Sequence, residues 1–204
     1  MSQINVKKGE KLNIPFELLE ASRKLDIILV GENASIEIIG LAFGKGDDNK
    51  SLELYVTHAA PNTKSNVNVR AVLRGKSSFA FRGNVKIEKG AKGADAYLRS
   101  DVLLFDEAKM GDDTPALEIL EPDVKAGHAA TIGKVDEQML FYLMSRGLSR
   151  KQAERMLVEG FVGPIRNILR AKREVTQKTI NNNLSGKFSL RSNSKMGVIS
   201  YGQS

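Results

Sequence analysis

Leu52-Glu-Leu-Tyr-Val56 and Val67-Asn-Val-Arg-Ala-Val-Leu73 alternate apolar with other residues, and a period of two is the pattern of a half-buried β-strand. Working outward from this pair, short apolar patches recur at 25–30, 36–39, 79–81, 85–87, 94–98, 102–105 and 117–120. Turn-forming residues separate them: Gly31-Glu-Asn33, Gly44-Lys-Gly-Asp-Asp-Asn49, Pro61-Asn62, Gly75, Gly83-Asn84, Gly90 and Gly111-Asp-Asp113. Many short strands at fairly regular spacing fit a sandwich, a barrel or a β-helix, and periodicity alone does not choose among them. The lack of tryptophan and the frequent small residues lean toward stacked rungs. The expected layout is a short N-terminal segment at 1–24 and a β core at 25–133.

Beyond Gly133 the period lengthens to that of a helix. Asp136 is placed to N-cap a first helix, with Val135 and Leu140 as a hydrophobic staple and Leu140, Leu143 and Met144 on one apolar face. Gly147 suits the left-handed residue that ends it. Ser149, with Gln152 three residues on, reads as a capping box opening a second helix lined by Ala153, Met156, Leu157 and Phe161. Pro164 reads as the start of a third, carrying Ile165, Ile168, Leu169 and Val175. A helical domain is thus expected over 134–180. The polar stretch 181–204 is expected to be a disordered tail.

Composition bounds the chemistry. The 204 residues are 41% hydrophobic and 27% charged, ordinary for a globular protein. No apolar run approaches the roughly 18–20 residues of a membrane span, and the first residues lack a signal-like stretch, so a cytoplasmic location is expected. The chain has no cysteine, which excludes disulfides and any thiolate of its own. The net charge of +7 lies wholly in residues 135–204, where 12 basic residues face 5 acidic ones. Such a segment suits nucleic acid, an anionic surface or an acidic protein partner, or simply keeps the chain soluble. The nucleic-acid reading is weak, since Phe141, Tyr142 and Phe161 read as buried and few other aromatics remain for stacking.

The stretch Gly127-His-Ala-Ala-Thr-Ile-Gly-Lys-Val-Asp-Glu-Gln-Met-Leu-Phe-Tyr-Leu-Met-Ser-Arg-Gly-Leu148 resembles the C-terminal signature of the SufB/SufD family of iron–sulfur cluster assembly proteins. Its His-x-Ala-Thr-x-Gly core, acidic cap and Phe-Tyr-Leu-x-Ser-Arg-Gly helix end are matched in order, and Ser149-Arg-Lys-Gln-Ala153 and Gly160-Phe161 continue it. Thr57-His-Ala-Ala-Pro-Asn-Thr-Lys-Ser65 is a second match. The resemblance implies a right-handed parallel β-helix followed by a small C-terminal helical domain. It also implies docking to a SufC-like ABC ATPase through the C-terminal helices, and pairing with a SufB-like paralogue or with an identical subunit. The missing cysteine, and Ala129 where the scaffold paralogue often carries an acid, favour the SufD-like partner role. No stably bound cofactor is expected on this chain alone. A transient iron–sulfur cluster would sit at the subunit interface.

His128 is the foremost candidate there: the resemblance implies an interface position, and imidazole can replace thiolate on one iron of a cluster. The bland alternative is a hydrogen-bonded histidine at the last β rung. His58, 70 residues away, is read as structural. The acidic pairs Asp47-Asp48, Asp106-Glu107 and Asp112-Asp113 are read as solvated turns. Gly40-Leu-Ala-Phe-Gly44-Lys-Gly46 fails the P-loop spacing, so no ATP hydrolysis and no enzymatic activity are expected. For the ATPase contact, Arg146 and Arg150 are the expected steering charges, with Phe161, Ile165 and Leu169 as anchors.

Overall fold

The computed structural model describes residues 3–183, with side chains through Leu169 and at Ala171. Ten strands precede two helices: β1 Ile4–Val6, β2 Lys11–Leu18, β3 Ser22–Leu29, β4 Ser35–Gly44, β5 Asn49–His58, β6 Lys64–Leu73, β7 Ser78–Ile87, β8 Asp95–Leu104, β9 Lys109–Ile119, β10 Lys125–Lys134, α1 Glu137–Ser145 and α2 Arg150–Asn183. Every ladder is parallel, and the strands alternate between two sheets, β1-β3-β5-β7-β9 and β2-β4-β6-β8-β10. This is a two-sheet parallel β-solenoid with a helical end piece, the architecture expected from the resemblance. Ladder partners from β3 to β7 lie 29 residues apart (Leu25, Leu54, Gly83), so each turn of chain stacks on the one before it.

Alternation makes the core. Leu52, Leu54, Val56, Val67, Val69, Phe79, Phe81, Val85 and Leu98 point inward and are completely or almost completely buried. The interior is narrow. A Cβ on Gly83 would come within 2.7 Å of the Leu98 side chain and 2.8 Å of the Phe81 ring, so only glycine leaves room for both. The turns stack as well: Asn33 N–H donates to the Pro61 carbonyl, Asn62 N–H to Lys92 and Gly93 N–H to Asp123 (2.7–3.1 Å). Asn33 and Asn62 take left-handed φ values of 60° and 57°, which asparagine tolerates better than most residues.

Two boundaries differ from the sequence reading. Strands begin at Ile4, so within the segment expected at 1–24, residues 4–24 belong to the solenoid. Leu12, Ile14, Phe16 and Leu18 supply its period-two face, and Pro15 fits because β2 is an edge strand with ladder bonds on one side only. Second, the helix expected to start at Pro164 is continuous with the one before it, α2 running through the proline. Proline removes the donor that the Gly160 carbonyl would use. Val162 before the proline, and Ile165 and Leu169 after it, all pack on the solenoid, and this packing holds the helix together across the break. The tail expected at 181–204 lies outside the described residues beyond Asn183.

The helix ends form as read. Gln138 N–H donates to Asp136 Oδ1 at 2.8 Å, Ser149 and Gln152 bond reciprocally, and Gly147 has φ +94°. Leu140 is buried, and Val135 packs under α2.

Candidate functional site

His58 ends β5, pointing into the core, wholly enclosed. Its Nδ1 lies 2.8 Å from Thr63 Oγ1 and its Nε2 2.8 Å from Ser65 Oγ. Thr63 spends its own proton on the Ala60 carbonyl (3.0 Å), so Nδ1 donates to Thr63 and Nε2 accepts from Ser65. Burial pushes the imidazole pKa down to about 4, with Asp95 opposing weakly. A neutral ring with both nitrogens engaged is a core element.

The outer face of the β2–β10 sheet carries α2. Ile39 and Leu41 of β4, Val72 of β6 and Phe105 meet Val162, Ile165 and Leu169 there. Beside this apolar seam, the Arg70 guanidinium donates to the Phe161 carbonyl and lies over the Phe161 ring. Asp101, buried, accepts from Arg99 at 2.8 Å and lies 3.6 Å from Arg70. Arg74 bonds Glu154 at 2.7 Å and stacks on Phe105. These contacts overturn part of the sequence reading. Ile165 and Leu169 are buried against the solenoid and are not free to anchor a partner, and Phe161 is half-buried by the same contact. Arg150 is also engaged internally: it forks onto both Glu137 oxygens (3.0 and 2.8 Å) and reaches Glu154, tying the start of α1 to α2. Arg146 caps α1 with its guanidinium over Tyr142 and is exposed.

What α1 leaves outward is apolar. Phe141 and Tyr142, read as buried, are 74% and 56% exposed, and Met139 and Met144 join them. Only Leu140 is buried on this helix. The Phe-Tyr pair therefore forms a surface.

The other unfinished surface is the last rung. Among the described residues nothing stacks on β9 or β10, the terminal strands of their sheets. The ladder sets Ala126, His128, Ala130 and Ile132 of β10 over Ala96, Leu98, Ser100 and Val102 of β8, all of which face inward. His128 thus occupies an interior column at the open end of the solenoid and is exposed there. Gly127 beside it lies against the Tyr97 ring. On β9, Asp113 stands over the buried Phe81 and Leu117 over Val85, after a register shift at Gly111-Asp112. The Asp112-Asp113 pair is therefore not a solvated turn. Asp112 turns outward, where Thr114 and Arg82 donate to it (2.5 and 2.9 Å) and hold its carboxyl below the usual carboxylate range. Asp113 turns inward; burial, and then Asp112, raise its carboxyl. Only the alternation across Asp112-Asp113-Thr114 marks Asp113 in the sequence, and the bulge hides it.

A resident iron–sulfur cluster does not fit this chain by itself. It has no thiolate, and among the described residues no three His, Cys, Asp or Glu side chains converge. His128 is a single imidazole in an interior column at the open last rung.

The chain is thus a parallel β-solenoid with a helical end piece, and the stretch that resembles the SufB/SufD signature runs from its last rung into α1. The family model described as SUF system FeS cluster assembly, SufBD core domain, matches residues 18–161, and the chain belongs to that family. Similar proteins include an iron–sulfur cluster assembly SufBD family protein of Mycobacterium tuberculosis (42% identity over 137 residues, 67% of this chain and 16% of that protein). The iron–sulfur cluster assembly protein SufD of Bacillus subtilis is 36% identical over 141 residues, 69% of this chain and 32% of that protein. A SufBD family protein of Staphylococcus epidermidis is 33% identical over 137 residues, 30% of its length. The chain thus spans about a third or less of the curated relatives it matches. No helix among the described residues is long and apolar enough to cross a membrane.

Proposed function

We propose that this chain is a SufD-like, non-catalytic subunit of an iron–sulfur cluster assembly complex. Its open rung receives a SufB-like paralogue or a second copy, and its helical end receives a SufC-like ABC ATPase. The observation that supports this reading is the unfinished last rung: core columns that end in Ile119, His128 and Ile132 with no layer above them among the described residues. Exposed strand edges and core-facing apolar side chains are what a second β subunit covers. Cysteine ligands and nucleotide energy then come from neighbours, because this sequence supplies neither a thiol nor a P-loop. The ATPase contact moves from the expected α2 anchors to α1, where Phe141, Tyr142 and Met139 stand out beside Arg146. Aromatic residues flanked by arginine are the composition of interface hot spots.

Affinity capture of the full chain from its native extract tests this. An ABC-type ATPase should co-purify with wild type. Phe141→Ser should lose it while keeping the wild-type melting temperature. Capture that returns no ABC-type ATPase overturns the docking half of the proposal. A chain that stays monomeric with every SufBD-family subunit offered overturns the pairing half.

A further inference from the structure

We propose that Asp113 is a second metal ligand beside His128 at the open end of the solenoid, so that the chain presents one carboxylate and one imidazole to a divalent first-row ion of the ferrous class. The remaining ligands come from the subunit that caps the rung. This rests on the assembly-subunit reading and names what that rung holds.

The ladder supplies the first argument. One rung down, the columns of Asp113 and His128 are filled by Phe81 and Leu98, both fully buried. An acid placed over an aromatic in a core column is unfavourable unless something pairs it. β9 shows how it solves that problem elsewhere, since Asp112 next door turns out to Arg82 and Thr114. Asp113 has no such solution. Its Oδ1 is buried and, among the described residues, has no hydrogen-bond donor. Ser100, inward-facing beneath Ala130, carries a second buried oxygen without a partner. An orphaned carboxylate oxygen and an imidazole thus share the last rung, with the orphaned Ser100 oxygen one rung below.

Placement supplies the second. The contact between the Gly83 position and Leu98 shows that these columns face each other across the interior. One rung up, the same columns carry Pro115 and His128, and Asp113 is the next inward residue along from Pro115. Packed sheets lie about 10 Å apart and a two-residue strand step covers about 7 Å, so the Asp113 and His128 backbones are diagonal neighbours about 12 Å apart. Opposite Asp113 the column carries only Ala130, which leaves space between the two side chains. Inward-reaching histidine and aspartate close that span around one ion with bonds of about 2 Å. Nitrogen and carboxylate oxygen together suit ferrous iron, whereas sulfide-rich sites use thiolate. A chain without cysteine is thus equipped for the iron side of assembly.

The full chain, purified anaerobically with whatever partners it retains, is titrated with Fe²⁺ by calorimetry and with Co²⁺ by visible absorption. Asp113→Asn keeps the shape and removes the charge; His128→Gln removes the imidazole; Asp113→Glu restores the carboxylate. The expected result is loss of about tenfold or more in Fe²⁺ affinity for the first two, an altered Co²⁺ band, and partial recovery in the third, with particle size and melting temperature unchanged. Wild-type Fe²⁺ affinity in Asp113→Asn overturns the inference. So does an Asp113→Asn chain that dissociates from its partner yet binds Fe²⁺ normally, for the acid then serves the interface. ATPase recovery is scored on the same samples. Retained ATPase with metal binding indifferent to Asp113 sinks this inference alone; lost ATPase with Asp113-dependent binding sinks the docking proposal alone.

Discussion

The same core columns lead two lives one rung apart. Leu98 and Val102 of β8 are 0% and 2% exposed, whereas His128 and Ile132, directly above them, are open to solvent, Ile132 at 49%. Ile87 of β7 is sealed and Ile119 above it is 47% exposed. Backbone, register and side-chain direction are the same; only the covering layer differs. Burial in a stacked fold is thus a property of position in the stack. A residue's contribution to folding is withheld at the last rung until something is laid on it.

The sharpest way to test that contrast is a pair of alanines in one column. Leu98→Ala should cost about 2–5 kcal/mol in urea unfolding, the range for emptying a closed apolar site. His128→Ala should cost about 0.5 kcal/mol or less in the isolated chain. Equal costs would mean that the last rung is covered. Next comes pH at a sealed polar position. His58 is neutral when folded, with its pKa lowered to about 4 from an ordinary 6.5. Between those values the unfolded chain binds the extra proton, so stability falls as pH drops from 6.5 to about 4, by an amount on the order of 3 kcal/mol. His58→Gln should flatten that part of the curve, measured by denaturant unfolding at stepped pH; an unchanged slope would place the titration elsewhere. The smallest effect is expected at the rim. Ile132→Ser should change the unfolding free energy of the isolated chain by no more than about 0.5 kcal/mol. Its effect should appear instead as a weaker association constant in sedimentation. A large loss of monomer stability would show that Ile132 is already packed.

Much of the strand region is legible because alternation is a local signal: Leu52-Glu-Leu54 and Val67-Asn-Val69 point their apolar residues inward, as a half-buried ladder requires. The stacking of those strands into a solenoid was not local and entered through the family resemblance. Where alternation breaks, the sequence had more to say. Ile38-Ile39-Gly40-Leu41-Ala42 is apolar on both faces because α2 covers the outer one, and such runs mark strands buried twice. That seam, with Val72 and Phe105, explains why Ile165 and Leu169 are not available to a partner. Helix periodicity gives an apolar face but not what lies against it, so from sequence α2's inner face reads as a docking face and α1's exposed Phe141-Tyr142 as core. Asp113 was hidden by the register shift at Gly111-Asp112, since a one-residue slip decides which of two neighbouring acids faces the interior.

The 29-residue ladder step has an architectural consequence. Removing residues 49–77 would join Asp48 to Ser78, the residue already seated beside Asn49 in its column. The cylinder would become one course shorter; its first strands and its mouth at β9 and β10 would remain, while α2 would lose its contacts with Arg70, Val72 and Arg74. Height in this molecule is set by how many courses are laid, whereas the uncovered face at β9 and β10 belongs to the last course alone.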